Sequence, residues 1–277
     1  MKVNLNMEET REERDHSSTR SLLRRLERGK EADLTFRKEI GRNAGRTGPF
    51  QHPEPAAEAR KGKGSRPHVQ EGDGRMGIPV LILGESGSGK SSSLRNFETD
   101  EISIFNIAGK PLPFRKKLSK VTTSDYKTIM AGLQQSRKKA FAIDDSQYLL
   151  CFELFDKAKE TGFQKFTDMA VNFYRLIQFI IKSLPEDVVV YFLHHVETTA
   201  EGKTKAKTVG KMLDEKLTVE GLFSIVLLCQ TDGQRHYFAT QSDGYTTAKS
   251  PMGLFESNEI DNDLKMVDQK IREYWEI

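Results

Sequence analysis

Residues 80–97, VLILGESGSGKSSSLRNF, constrain the chain more than any other stretch. An apolar run, Val80 to Leu83, stops at Gly84 and gives way to a turn of glycine and serine that leads to Lys90 and Ser91. That order reads as strand, loop, helix. Gly84, Gly89, Lys90 and Ser91 satisfy the spacing G-x-x-x-x-G-K-[ST], and the flanking strand and helix are the context in which that spacing carries meaning. Glycines let the backbone curl so that successive amides converge on an anion, with the positive end of the following helix behind them. The predicted phosphate-binding set is therefore Gly84, Glu85, Ser86, Gly87, Ser88, Gly89, Lys90, Ser91 and Ser92. Lys90 supplies a point charge for the outer phosphates, and the Ser91 hydroxyl a ligand for magnesium.

Four further strand signals follow: EISIFNIAG, KKAFAIDD, DVVVYFLHHVE and LFSIVLLCQ, with helical stretches between the inner ones. Near-continuous apolar runs, rather than alternation, predict strands buried on both faces of a parallel sheet in an α/β, three-layer fold. SDYKTIMAGLQQSRKK predicts a helix capped by Ser124, with Tyr126, Ile129, Met130 and Leu133 on one side. Phe166, Met169, Ala170, Phe173, Leu176, Ile177, Ile180, Ile181 and Leu184 make the widest apolar face in the chain, ended by Pro185. After the fifth strand, RHYFATQ and GYTTAKSP predict a strand pair turning through Ser242, Asp243 and Gly244. The closing NEIDNDLKMVDQKIREYWEI predicts a helix with Leu264, Val267, Ile271 and Tyr274 inward.

Composition divides the chain at about residue 75. Residues 1–75 hold two of the 23 Phe and Tyr residues, Phe36 and Phe50, and are dense in Gly, Pro and charge. Such a segment buries too little apolar surface to offset chain entropy, so a disordered, charged extension is expected before a folded domain at 76–277. Within it, STRSLLRRLERGKEADL predicts a short helix capped by Ser18 or Thr19. Met76 stands directly before the first strand, so the functional start is expected there. The tail carries 17 Lys plus Arg against 13 Asp plus Glu, which leaves 26 against 27 for the remainder. Bulk charge therefore gives the folded part no warrant for nucleic-acid binding, and any such claim rests on local patches. Cys151 and Cys229 suit buried thiols in a reducing compartment. With no run approaching a membrane span and no apolar leader, a soluble, cytoplasmic protein is expected.

The strand AFAIDD ends in two carboxylates. Asp144 is placed to hold magnesium across from Ser91. Asp145 follows, and two readings stand: it polarises an attacking water, or it caps the turn before SQYLL. His194 and His195 end the fourth strand, at the edge where open α/β sheets bind ligands. One imidazole faces a terminal phosphate while the other packs away, and alternation alone does not choose between them. Beyond them lie Lys203, Lys205, Lys207 and Lys211. As an extended segment, the first three share a side suited to a phosphate backbone; as a solvated loop they need no partner.

This order of parts resembles the P-loop ATPases of the RecA-like and AAA-type branch, and looks closest to phage-encoded ATP-binding proteins of recombination and replication modules. GESGSGKSSS, AIDDSQYLL, YFLHHVE, TVGKMLDEKL and AKSPMGLF carry the resemblance, over roughly residues 76–260. It implies a mainly parallel RecA-like sheet with an extra strand between the phosphate-loop strand and its sequence neighbour, and ATP bound between subunits of a homo-oligomer. It implies that His194 or His195 senses the terminal phosphate and that residues 197–211 contact single-stranded DNA. It also implies that Lys249 reaches a neighbour's nucleotide. FNIAGK offers no glutamate where RecA carries its catalytic one, which shifts that task to Asp145.

The function expected is a magnesium-dependent ATPase of phage type acting on single-stranded DNA in the host cytoplasm. Three alternatives stand beside it: a slow nucleotide switch that recruits a partner such as a helicase, a small-molecule kinase, and a DNA-binding module whose ATP site is structural.

Overall fold

A computed structural model describes residues 76–277. The expected disorder of residues 1–75, and the short helix within them, lie outside the described residues.

Five apolar runs form the heart of one sheet. β1 spans Ile78–Gly84, β2 Ile102–Asn106, β4 Ala140–Asp144, β5 Val189–Thr198 and β7 Ile225–Thr231, with a short parallel β3 at Ser119–Thr122. Their order is β3-β2-β4-β5-β1-β7, all parallel, extended by antiparallel β8 (His236–Ala239) and β9 (Glu259–Asp261), while antiparallel β6 (Thr204–Ala206) hangs from the end of β5. The sheet is thus mainly parallel, in a three-layer α/β fold. β5 lies between β1 and β4, and both lie between β1 and β2. Two strands, not one, separate the phosphate-loop strand from its sequence neighbour.

Alternate residues of each inner strand feed opposite cores, which is why these strands read as unbroken apolar runs. Leu81, Leu83, Phe141, Ile143, Val190 and Phe192 pack on one face. Val80, Ile82, Ala140, Ala142, Tyr191 and Leu193 pack on the other. The first face is covered by α1 (Tyr126–Gln135), α2 (Gln147–Asp156) and α3 (Gln164–Ser183), the second by the short 3₁₀ helix Ser91–Asn96 and by α4 (Leu264–Trp275). α3 buries Met169, Ala170, Phe173, Leu176, Ile177 and Ile180, at roughly 1.5–3 kcal/mol for each large side chain. Its expected stripe is the one that faces the sheet. α4 is tied to the sheet from within: the Tyr191 hydroxyl donates to Asp268 Oδ1 at 2.8 Å, and Arg272 Nε donates to Asp268 Oδ2 at 2.7 Å.

Several local expectations need correction. Asp125, not Ser124, caps α1; its carboxylate accepts from the Thr128 amide at 2.9 Å, and a carboxylate one residue nearer the helix outcompetes the hydroxyl. RHYFATQ does not pair with GYTTAKSP. β8 lies between β7 and β9, and residues 245–249 instead make single bridges, Thr246 to Thr204 and Lys249 to Val226. The closing segment starts as strand β9, and α4 begins only at Leu264, where Asp263 accepts from the amides of Lys265 and Met266. Tyr274 sits at the surface, 40% exposed, with its hydroxyl donating to the Met252 carbonyl. Of the two thiols Cys229 is buried and Cys151 only partly so. Among the described residues no helix is long and apolar enough to cross a membrane.

Candidate functional site: the loop after β1 and its surroundings

β1 delivers the chain to the sheet's carboxyl edge, and residues 85–90 curl back over it. Gly87 and Gly89 take left-handed backbone angles, φ 83° and 103°. Gly89 has a second constraint, because a Cβ there meets the His236 ring at 3.0 Å. Gly84 is held by close approach: a Cβ would lie 2.8 Å from the Cys229 carbonyl oxygen of β7. The expected helix after the loop is a single six-residue 3₁₀ segment. Three successive serines explain this, since hydroxyls compete for backbone acceptors; Ser93 Oγ donates to the Lys90 carbonyl at 2.5 Å. The glycine-bent loop remains, but a long helix dipole behind it does not.

Lys90 reaches back across the loop and its ammonium donates to the carbonyls of Gly84 at 2.8 Å and Glu85 at 2.7 Å. Burial pulls its pKa down, opposed by Cys229, Asp145 and Asp144. Ser91 Oγ donates to Asp144 Oδ1 at 2.7 Å. Burial pushes the Asp144 carboxyl up, and the Ser91 hydrogen bond works against that shift. Two residues far apart in sequence thus bring a hydroxyl and a carboxylate oxygen together beside a loop ammonium. Around them, two buried polar atoms have no hydrogen-bond partner among the described residues: Ser88 Oγ in the loop, and Asn106 Oδ1 on β2, whose residue lies opposite Asp144 in the β2–β4 register. A magnesium ion takes oxygen ligands from one or two protein groups and the rest from phosphates and water, and this donor set fits that pattern.

Asp145 faces elsewhere. It sits in the left-handed region at φ 59°, a conformation that costs a non-glycine residue of order 1 kcal/mol, and its two oxygens meet different partners. Lys110 Nζ is 2.7 Å from Oδ2 and His195 Nε2 is 3.3 Å from Oδ1. Burial raises the Asp145 pKa, but the hydrogen bonds from His195 and Lys110 outweigh it and hold the carboxyl below its ordinary range. The carboxylate is well placed to orient a molecule and weak as a proton acceptor.

The register separates the two histidines. His195 lies opposite Gly84 across the β1–β5 pair and turns toward Asp145 and the Tyr148 ring. His194 follows Val190 and Phe192 beneath α3, fully buried, with its ring 5.8 Å from that of Phe173. The Lys207 carbonyl can only accept, so His194 Nε2 carries the proton at 2.9 Å, leaving Nδ1 to accept from Ser146 Oγ at 2.9 Å. Burial drives its pKa down to about 4. His194 is therefore a neutral strut between the turn after Asp144 and the lysine segment.

That segment differs from the expected shared face. Only residues 204–206 are extended, pairing back on β5. Lys205 is held by Glu197 at 3.2 Å and by Asp214, and Lys211 lies 3.9 Å from Glu215. Lys203 and Lys207 are exposed. Opposite Ala206, the buried Glu220 accepts its amide at 2.7 Å and the Thr247 hydroxyl at 3.3 Å, locking the segment to residues 245–249. Lys249 exchanges both backbone hydrogen bonds with Val226 at 2.8 Å, and Val226 lies opposite Leu81 in β1, so the Lys249 main chain lies below the loop of the same chain.

Four residues around the loop carry no signal in the sequence that ties them to it. His236 Nδ1 donates to the Ser88 carbonyl at 2.7 Å, and Cys229 Sγ donates to the same oxygen at 3.0 Å, its pKa raised to about 11 by burial. Asn262 supports Cys229 from β9's end, its Nδ2 3.1 Å from the sulfur. Lys110 is the fourth, and nothing in FNIAGK marks it.

No family model matches the chain, and no curated protein matches it. Among solved structures it is similar to the P4 protein from bacteriophage phi6 in complex with ADP, at 18% identity and a TM-score of 0.35, over 70% of this chain and 65% of that one. The chain spans just under two thirds of that neighbour's length, and a likeness so distant carries no weight for function.

Proposed function

We propose that this chain is a magnesium-dependent, ATP-binding P-loop ATPase of RecA-like type, phage-encoded and active as a homo-oligomer on single-stranded DNA. The observation that carries the reading is the 2.7 Å contact of Ser91 Oγ with Asp144 Oδ1 beside the Lys90 ammonium. A hydroxyl, a buried carboxylate and a buried ammonium meet on a glycine-bent loop at the carboxyl edge of the sheet. A triphosphate with its metal gives all three groups charged or oxygen partners in exchange for the ones they hold, and supplies one for Ser88 Oγ, which has none among the described residues. Bound magnesium would neutralise charge on the outer phosphates, held by Ser91 and Asp144.

The chain's own residues do the rest. Loop amides of residues 85–91 hold the phosphates, and Lys90 turns from the Gly84 and Glu85 carbonyls toward them. Asp145 and His195 orient water at the terminal phosphate. His194 links Ser146, next to Asp145, to Lys207, so a shift of that turn moves the lysine segment. Lys203, Lys207 and the 88%-exposed Lys211 are the charges available to a phosphate backbone, and Lys249 reaches a neighbouring subunit's nucleotide. A second reading, a slow nucleotide switch that recruits a partner, is favoured by one observation: the Asp145 carboxylate is engaged by Lys110 and of low basicity.

ATPase rates with and without single-stranded DNA separate the two. Stimulation by DNA supports the ATPase reading, whereas tight ATP binding with turnover indifferent to DNA supports the switch. Lys203→Ala with Lys207→Ala lowers the slope of log affinity against log salt by about 1.4 if both touch phosphates of a single strand. An unchanged slope removes this segment from the interface.

A further inference from the structure

Lys110 stands in a different situation from every other charge at the loop. Its main chain is fixed: the Asn106 amide Nδ2 donates to the Lys110 carbonyl at 2.6 Å, just after Gly109 turns at φ 70°. Its side chain is 59% exposed, yet the ammonium lies 2.7 Å from Asp145 Oδ2 and 5.7 Å from the centre of the Tyr148 ring. Asp145 is itself nearly buried and flanked by His195 on its other oxygen. Lys110 is thus a tethered, exposed cation leaning into the site from just beyond β2, close enough for its charge to act on Lys90 and Asp144 as well as Asp145.

A pair with one exposed partner is weak, on the order of 1 kcal/mol or less, because water competes for the ammonium. A terminal phosphate presents several charged oxygens and makes stronger, charge-assisted hydrogen bonds. We infer that Lys110 is a second phosphate-binding lysine, which leaves Asp145 for the terminal phosphate of a nucleoside triphosphate and frees Asp145 Oδ2 to hold the attacking water. The inference rests on the reading of residues 84–91 as a triphosphate site and adds the device that distinguishes a triphosphate from a diphosphate. A diphosphate leaves Lys110 on Asp145, so the exchange senses the terminal group alone.

The test compares ATP and ADP affinity, with magnesium, in the full chain and three variants, read by displacement of a fluorescent ADP. Lys110→Met is expected to weaken ATP about tenfold while leaving ADP within about twofold, and Lys110→Arg to keep most of the ATP affinity. Because Lys110 is exposed, ADP affinity also reports that the fold is intact. Lys110→Met combined with Asp145→Asn decides between direct contact and mere neutralisation of Asp145. The double variant stays weak for ATP if Lys110 touches phosphate. Full recovery of ATP affinity in the double variant overturns the inference, as does an equal change for ATP and ADP in Lys110→Met. If the unaltered chain binds neither nucleotide, the reading of the loop itself fails, an outcome distinct from normal ADP binding with no ATP-specific loss.

Discussion

The buried histidine strut makes stability depend on pH in a way that can be worked from the structure. His194 is fully buried and neutral, its pKa pushed from an ordinary 6.5 down to about 4 chiefly by burial. In the unfolded chain the same imidazole takes up a proton as pH falls below its ordinary value, so between that point and about 4 the unfolded state binds the extra proton. Stability from this residue is therefore complete at neutral pH and is lost as pH falls through that window, with no further loss below it. At about 1.4 kcal/mol per pH unit, the loss sums to about 3 kcal/mol. Urea unfolding of the wild type and of His194→Gln, at about pH 7.5 and about pH 4.5, isolates the effect, because other titrating groups cancel in the difference. Glutamine retains a donor for the Lys207 carbonyl but has no titration of its own. The stability advantage of the wild type should shrink by about 2.5 kcal/mol on going to the lower pH, most of the full loss. Parallel pH profiles for the two proteins would show that His194 is solvated or charged in the fold and refute the strut.

Two further substitutions test the packing around the site. Asp268→Ala removes the acceptor of the buried Tyr191 hydroxyl and the partner of Arg272, and should cost about 2–4 kcal/mol in urea unfolding; a loss within about 0.5 kcal/mol contradicts the tie between α4 and the sheet. Gly84→Ala drives a methyl group to 2.8 Å from the Cys229 carbonyl oxygen, so it should destabilise by about 1–3 kcal/mol and displace the loop, weakening nucleotide binding; normal affinity would show that the close approach is unimportant.

The sheet was legible because parallel strands buried on both faces leave unbroken apolar runs, and Val80–Leu83 and Val189–Leu193 are fully buried or nearly so. The loop and Asp144 were legible because their chemistry is local: fixed spacing in one case, a carboxylate at a strand end in the other. Which histidine faces the site was not, since adjacent residues on a strand are equivalent until the register places His195 beside Gly84. Lys205 read as a free charge because its acids, Glu197 and Asp214, lie outside the lysine run and meet it only once β6 folds back on β5. Lys110, His236 and Asn262 carry no spacing signal at all; each reaches the loop or its acids through tertiary contacts across the sheet edge. β9 was absorbed into the helix prediction because three residues are too few to show a period.

In the function proposed above, residues 84–91 with Asp144 hold a nucleoside triphosphate and its metal. Equilibrium binding of ATP to the wild type and to Lys90→Ala, each with magnesium and with EDTA, tests it most directly. Saturable wild-type binding that weakens without magnesium is expected, with a loss of about 100-fold or more in Lys90→Ala. Equal affinity in the two proteins, or no difference between magnesium and EDTA, would contradict it.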